Sequence, residues 1–199
     1  MNTRRGPITA SEALRQLEAD PEWCARRDAK EAEKAERTQH LMLEQMELLR
    51  DLQEAGHEVR SVWDLVNTAS PYPKALPVLL DHLIRPYSDR TREGIARALA
   101  VKDARPLAWD IMVGLIQSRS LPKEVADGVM IAISAMARPA DLSVLIGMLA
   151  DKRIGSSRIF LVRKLMRSKR PEARQALMNS RADPDLQKEI VARLGVQAA

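Results

Sequence analysis

Three histidines, one cysteine and a crowd of arginines are the residues of this 199-residue chain that could do chemistry. His40, His57 and His82 are scattered, and none stands four residues from another His or a Cys. That spacing would aim two ligands at one zinc ion from a single helix face. His82 reads as a partly exposed helix residue. Cys24 has Arg26 and Arg27 beside it near an expected helix start, where a thiolate is stabilised; a small half-buried side chain is the simpler reading. Asp183 and Asp185 are paired carboxylates, but they sit in a turn and at a helix cap, where they satisfy backbone N–H groups. The chain has no G-x-S-x-G, no Gly-rich phosphate loop and no H-E-x-x-H. The expectation is a protein that is not an enzyme and takes no metal and no cofactor.

What is concentrated is positive charge. Lys152, Arg153, Arg158, Arg163, Lys164, Arg167, Lys169, Arg170 and Arg174 fall within residues 152–174, where Glu172 is the one acid. Arg163, Arg167, Arg170 and Arg174 follow helical spacing, although Pro171 assigns the last of them to a new helix. Such a cluster attracts nucleic acid or an acidic protein, pairs with acids of the same chain, or is a solvated face. The net charge of +5 is unevenly spread. Residues 1–72 hold ten Lys/Arg against fourteen Asp/Glu, whereas residues 73–199 hold twenty-two against thirteen.

The elements that must position these cations can be read from the prolines. Pro73, Pro106, Pro139 and Pro171 are 33, 33 and 32 residues apart, a period typical of stacked helical repeats. Three residues after each proline stand Leu76, Trp109, Leu142 and Arg174. Six residues after stand Leu79, Met112, Leu145 and Leu177; seven after, Leu80, Val113, Ile146 and Met178; ten after, Leu83, Ile116, Leu149 and Arg181. These offsets describe one helix face. The fourth copy turns polar at the first and last of them, as a terminal capping helix should. A break follows each first helix. A second helix then carries Ile95 with Leu99, Val129 with Ile133, Leu161 with Leu165, and Ile190 with Leu194. Gly94 and Gly128 recur inside the second helices, and close helix packing is the expected reason.

Ahead of the repeats, residues 10–19 read as a short helix capped by Thr9 or Ser11. Asp20-Pro21 then starts a helix that runs without Gly or Pro to Ala55, about 35 residues and roughly 50 Å. Its second half bears Leu41, Met42, Met46, Leu48, Leu49 and Leu52, a stripe expected to pack on the repeats. A homodimer through this helix is the rival to a monomer. Gly56 is its natural C-cap. Trp63 is expected to plug the open core of the first repeat, since terminal repeats need a cap. The domains are therefore 1–72, an N-terminal helical region, and 73–199, a repeat array. With 30% charged and 3% aromatic residues and no apolar run of about 18 residues, an all-α protein without a membrane span is expected. The N-terminus lacks the apolar core of a secretory signal. The lone cysteine points to a cytoplasmic location.

The second helices resemble those of HEAT repeats, whose pattern is roughly D-P-x-V-R-x-x-A-x-x-A-L. SDRTREGIARAL (88–99) and DPDLQKEIVARL (183–194) carry the likeness. Asp183, Pro184, Leu186 and Leu194 match, and Arg92 and Arg158 occupy the arginine position. Ala126 and Gln187 depart from it. The resemblance covers residues 73–194. It implies a short HEAT-like α-solenoid of about four helix pairs, a right-handed superhelix whose second helices line the concave side. On that geometry Arg97 and Arg163 fall at equivalent positions, and Arg97, Arg158, Arg163, Lys164, Arg167 and Arg170 form a basic face. A scaffold that binds a protein, acidic in character, is the function implied; a bacterial regulatory or immunity-type binding protein is one form of it. The alternative is a nucleic-acid-binding array similar to the alkylpurine DNA glycosylases. That family needs several aromatics and a carboxylate in its groove, whereas Trp109 and Asp110 are adjacent here and Trp109 fits a core position.

Overall fold

The computed structural model describes residues 9–194, and every regular element among them is helical. No described helix is long and apolar enough to cross a membrane. The chain falls into two compact units divided between Glu44 and Gln45.

The first unit is a helical hairpin, α1 (Ala10–Glu18) packed on α2 (Pro21–Glu44). Thr9 caps α1 by a reciprocal pair: its hydroxyl accepts from Glu12 N–H at 3.3 Å while its own N–H donates to Glu12 Oε2 at 2.9 Å. Asp20 caps α2, accepting from the N–H groups of Glu22 at 2.9 Å and Trp23 at 3.3 Å. Neither helix has a buried residue. Good helix formers and i, i+4 ion pairs such as Arg26–Glu22 and Arg37–Glu33 sustain α2 with little packing.

The single helix expected over 21–55 is two, because a break at Gln45 separates α2 from α3 (Met46–Glu54). Gln45 belongs to the second unit by its bonds. Its Oε1 accepts from Val62 N–H at 3.0 Å and from the Ser61 hydroxyl at 3.2 Å, and its Nε2 donates to Thr91 Oγ1 at 3.3 Å. Leu48 and Leu52 of the anticipated stripe are buried, while Met42 and Met46 remain more than half exposed. α3 ends at Gly56, whose φ of +87° lets His57 N–H reach Leu52 C=O and Gly56 N–H reach Gln53 C=O. Within the second unit, α3 packs on the helix Ala75–Leu83, and the short helix Val62–Val66 packs on the helix Asp89–Ala98.

The second unit continues with α4 (Val62–Val66), α5 (Ala75–Leu83), α6 (Asp89–Ala98), α7 (Arg105–Ser118) and α8 (Lys123–Met136). It ends with α9 (Leu142–Ala150), α10 (Ile159–Met166), α11 (Pro171–Asn179) and α12 (Gln187–Leu194). Each repeating proline lies within three residues of a helix start. Leu79, Met112, Leu145 and Leu177, six residues on, are all buried, whereas Arg174 and Arg181 of the last copy are exposed. α5 packs on α6, α7 on α8 and α9 on α10. The second helices also touch in series, α6 with α8, α8 with α10 and α10 with α12.

Glycine allows the closest of these approaches. A Cβ on Gly128 would lie 2.9 Å from Glu93 O and 3.0 Å from the Ala96 methyl, so α8 rests directly on α6. A Cβ on Gly94 would lie 2.7 Å from Val62 Cγ1 and 2.9 Å from Trp63 Nε1. Trp63 is half-buried on the core, and the Arg90 guanidinium stacks over its ring at 3.7 Å.

His82 is fully buried, not partly exposed as expected. Its Nδ1 pairs with the Tyr87 hydroxyl at 2.7 Å and its Nε2 with Asp51 Oδ2 at 2.9 Å. A polar ring is tolerated there because both nitrogens have partners. With Arg50, the His82 contact holds the Asp51 carboxyl below its ordinary value, the His82 hydrogen bond contributing most.

Candidate binding groove

The cations at the end of α10 open onto a groove of about 900 Å³. One wall is a single face of α8, with Ile131, Ser134 and Ala135. The other is a single face of α10, with Phe160, Arg163, Lys164 and Arg167. The turn into α9 and its first turns close the groove between them, and Leu142 and Leu145 join Ile131, Phe160 and Leu165 in an apolar floor. Small side chains on α8 and longer ones on α10 leave this space where the helices do not interdigitate.

Among the described residues seven cations line it, Lys102, Arg138, Arg163, Lys164, Arg167, Lys169 and Arg170, and no carboxylate does. Among the described residues none of the seven takes part in an ion pair within 4.0 Å. Lys164 Nζ donates to the Ala137 carbonyl at 2.6 Å, the last turn of α8 supplying an acceptor. Burial pulls the Lys164 pKa below its ordinary value, and repulsion from Lys102 and Arg167 adds to that shift. Asp141 is the nearest candidate counter-charge, but Arg105 engages it at 2.8 Å and the Arg138 N–H donates to it at 2.6 Å. Burial works to raise the Asp141 carboxyl; the Arg138 and Arg105 bonds outweigh it and hold the group low.

Of the basic face expected from sequence, Arg163, Lys164, Arg167 and Arg170 are brought together in this groove. Arg158 is not part of any face. It is 1% exposed, with Nη1 on Asp183 Oδ2 at 2.8 Å and Nη2 on Asp185 Oδ2 at 3.0 Å. Nη2 also donates to Asp183 Oδ1 at 3.3 Å, and the remaining donors go to Leu149 C=O at 3.1 Å and Gly155 C=O at 2.8 Å. An arginine in the core must be paired and fully bonded, and this one ties the last two helices to the rest. The Arg158 guanidinium is the strongest influence holding Asp183 below the usual carboxylate range. Arg97 also lies elsewhere, its Nε bonded to Glu93 Oε1 at 2.8 Å beside Trp63. Glu93 takes Arg90 as well, at 3.1 Å, so that surface is locally paired.

Lys102, Arg138 and the apolar floor were not apparent from the 152–174 cluster. The loops that follow the second helices mark the basic rim: Lys102 follows α6, Arg138 follows α8, and Lys169 and Arg170 follow α10, whereas Arg105, the residue just before Pro106, is paired with Asp141. Cations recur in the loops between successive repeats, at one end of the second helices. The floor follows only from how α8, α9 and α10 diverge. Among the described residues no group of three or more His, Cys, Asp or Glu is placed to hold a metal ion. Comparison of the chain with protein-family models, curated proteins and solved structures finds no match.

Proposed function

We propose that this protein is a non-catalytic protein-interaction module, and that its groove between α8, α9 and α10 takes an acidic protein partner. The frame of that module is a short HEAT-like α-solenoid over residues 73–194. Four features support the frame: the proline period, the buried sixth position in every copy, the serial packing of second helices, and the polar fourth copy. The observation that carries the function is the groove's composition, seven cations over an apolar floor with no carboxylate among them. A monomer domain does not gain stability by gathering like charges, which repel one another. A ligand of opposite charge removes that cost.

Nucleic acid is the second reading, favoured by the same cation count. It is the weaker one because Phe160 is the single aromatic in the lining, and single strands are held by stacking on several. The test is affinity capture from the native cell with the wild-type chain and with Arg163→Glu/Arg167→Glu, both after nuclease treatment. A discrete protein retained by the wild type and lost by the variant supports the module. Loss of all retention on nuclease treatment refutes it in favour of nucleic acid.

A further inference from the structure

The groove dictates the form of its occupant as well as its charge. An extended peptide would bring unpaired N–H and C=O groups onto the apolar floor. Buried backbone groups need partners. The rim supplies many donors for carbonyls, but no carboxylate to accept from N–H groups. No strand exists among the described residues to pair with an extended chain. An α-helix satisfies its own backbone groups and presents side chains alone. The two walls are themselves helix faces, Ile131, Ser134 and Ala135 on α8 against Phe160, Arg163 and Arg167 on α10. Ser134 and Ala135 are small, leaving room for side chains entering from above.

We propose that the groove binds an amphipathic acidic helix of the partner. Its apolar residues, spaced i, i+3 or i+4 and i+7, enter the floor between Ile131, Leu142, Leu145 and Phe160. Its Asp and Glu residues flank that stripe and pair with Arg138, Arg163, Arg167 and Lys169 on the rim. This inference rests on the protein-binding reading and adds the conformation and the pattern of the ligand.

The experiment is fluorescence anisotropy with the full chain and four labelled probes. The first is a helix-forming peptide of about 15 residues, four turns, with leucines in one stripe and glutamates elsewhere. The second has the same composition scrambled to abolish the stripe. The third is poly-glutamate of equal length, and the fourth a single-stranded oligonucleotide. The expected result is binding of the striped peptide at least tenfold tighter than the scrambled one, weakening with salt because the pairs are exposed. Arg167→Glu, an exposed change that leaves the core intact, should lose most of that binding. Phe160→Ala should reduce it while its helical circular dichroism stays that of the wild type. Equal affinity for striped, scrambled and poly-glutamate peptides overturns the helical occupant but leaves acidic-protein binding standing. Tight binding of the oligonucleotide with none of the peptides bound overturns both.

Discussion

Arg158→Met is the sharpest test of how the array closes. Methionine keeps much of the volume and none of the charge, so the cavity contribution is small. What is lost is a two-pronged ion pair to Asp183, 2.8 and 3.3 Å on its two oxygens, in a site where the arginine is 1% and the carboxylate 7% exposed. Removing one partner of such a pair leaves a buried charge uncompensated, which costs about 3–5 kcal/mol. Asp185 is 43% exposed and is hydrated when its partner goes, so its share is minor. The Leu149 and Gly155 carbonyls lose their donor as well. Against a total stability of about 5–15 kcal/mol, the loss is large. Urea unfolding followed by circular dichroism measures it at pH 7. The pH dependence carries the mechanism. Asp183 is held below its ordinary pKa, so its contribution is present above the unfolded value of about 3.9 and is lost as pH falls through the lower folded value. In Arg158→Met the same carboxyl is buried without its cation, and protonation relieves it. The gap between wild type and variant should therefore narrow as pH drops below about 4. A loss under about 1 kcal/mol, or a gap independent of pH, would show that the pair is solvated and the reasoning wrong.

Two further perturbations address packing. Gly128→Ala should destabilise by about 1–3 kcal/mol, since its methyl meets Glu93 O at 2.9 Å and backbone cannot step aside cheaply. Gly114→Ala is the matched control: nothing lies within 4 Å of that methyl, so α7 should gain up to about 1 kcal/mol of helix propensity. Thermal melts that move both variants in the same direction refute the close approach of α6 and α8. His82→Ala should cost about 2–4 kcal/mol, from a large-to-small change at a fully buried site plus the orphaned Tyr87 hydroxyl. A melt within about 0.5 kcal/mol of wild type, the range of surface substitutions, would place that ring in solvent.

The sequence made the helices of the second unit legible because proline, apolar spacing and burial agree there. Each repeating proline marks a helix start, and the sixth residue after it is buried every time. Caps were legible for the same reason, as local chemistry at Thr9, Asp20 and Gly56 decides them without help from distant residues. Gln45 was illegible: a good helix former in a helical run, it marks a boundary only because Ser61, Val62 and Thr91 collect its amide. His82 and Arg158 were misplaced for a related reason. Polar residues read as exposed unless their partners are known, and these partners are 31 and 25 residues away.

The charge pattern was legible in amount and not in destination. Nine cations crowd residues 152–174, yet they divide between opposite tasks. Arg158 is spent on Asp183 and Asp185, and Arg153 on Asp151, where Arg119 joins it. Arg163, Arg167, Lys169 and Arg170 instead face the groove with Lys102 and Arg138, from loops tens of residues away. A count along the chain cannot separate the two sets, because the difference is whether a carboxylate stands opposite in space. Position after the second helices separates them in part: Lys102, Arg138, Lys169 and Arg170 follow α6, α8 and α10 and line the groove, although Arg105 in the same stretch is paired with Asp141, and the second helices touch in series. Periodic placement of like charge along such a row concentrates repulsion on one edge of the fold. On the proposed reading an acidic helix relieves that repulsion, so the groove, rather than the denser cluster, is the surface to test.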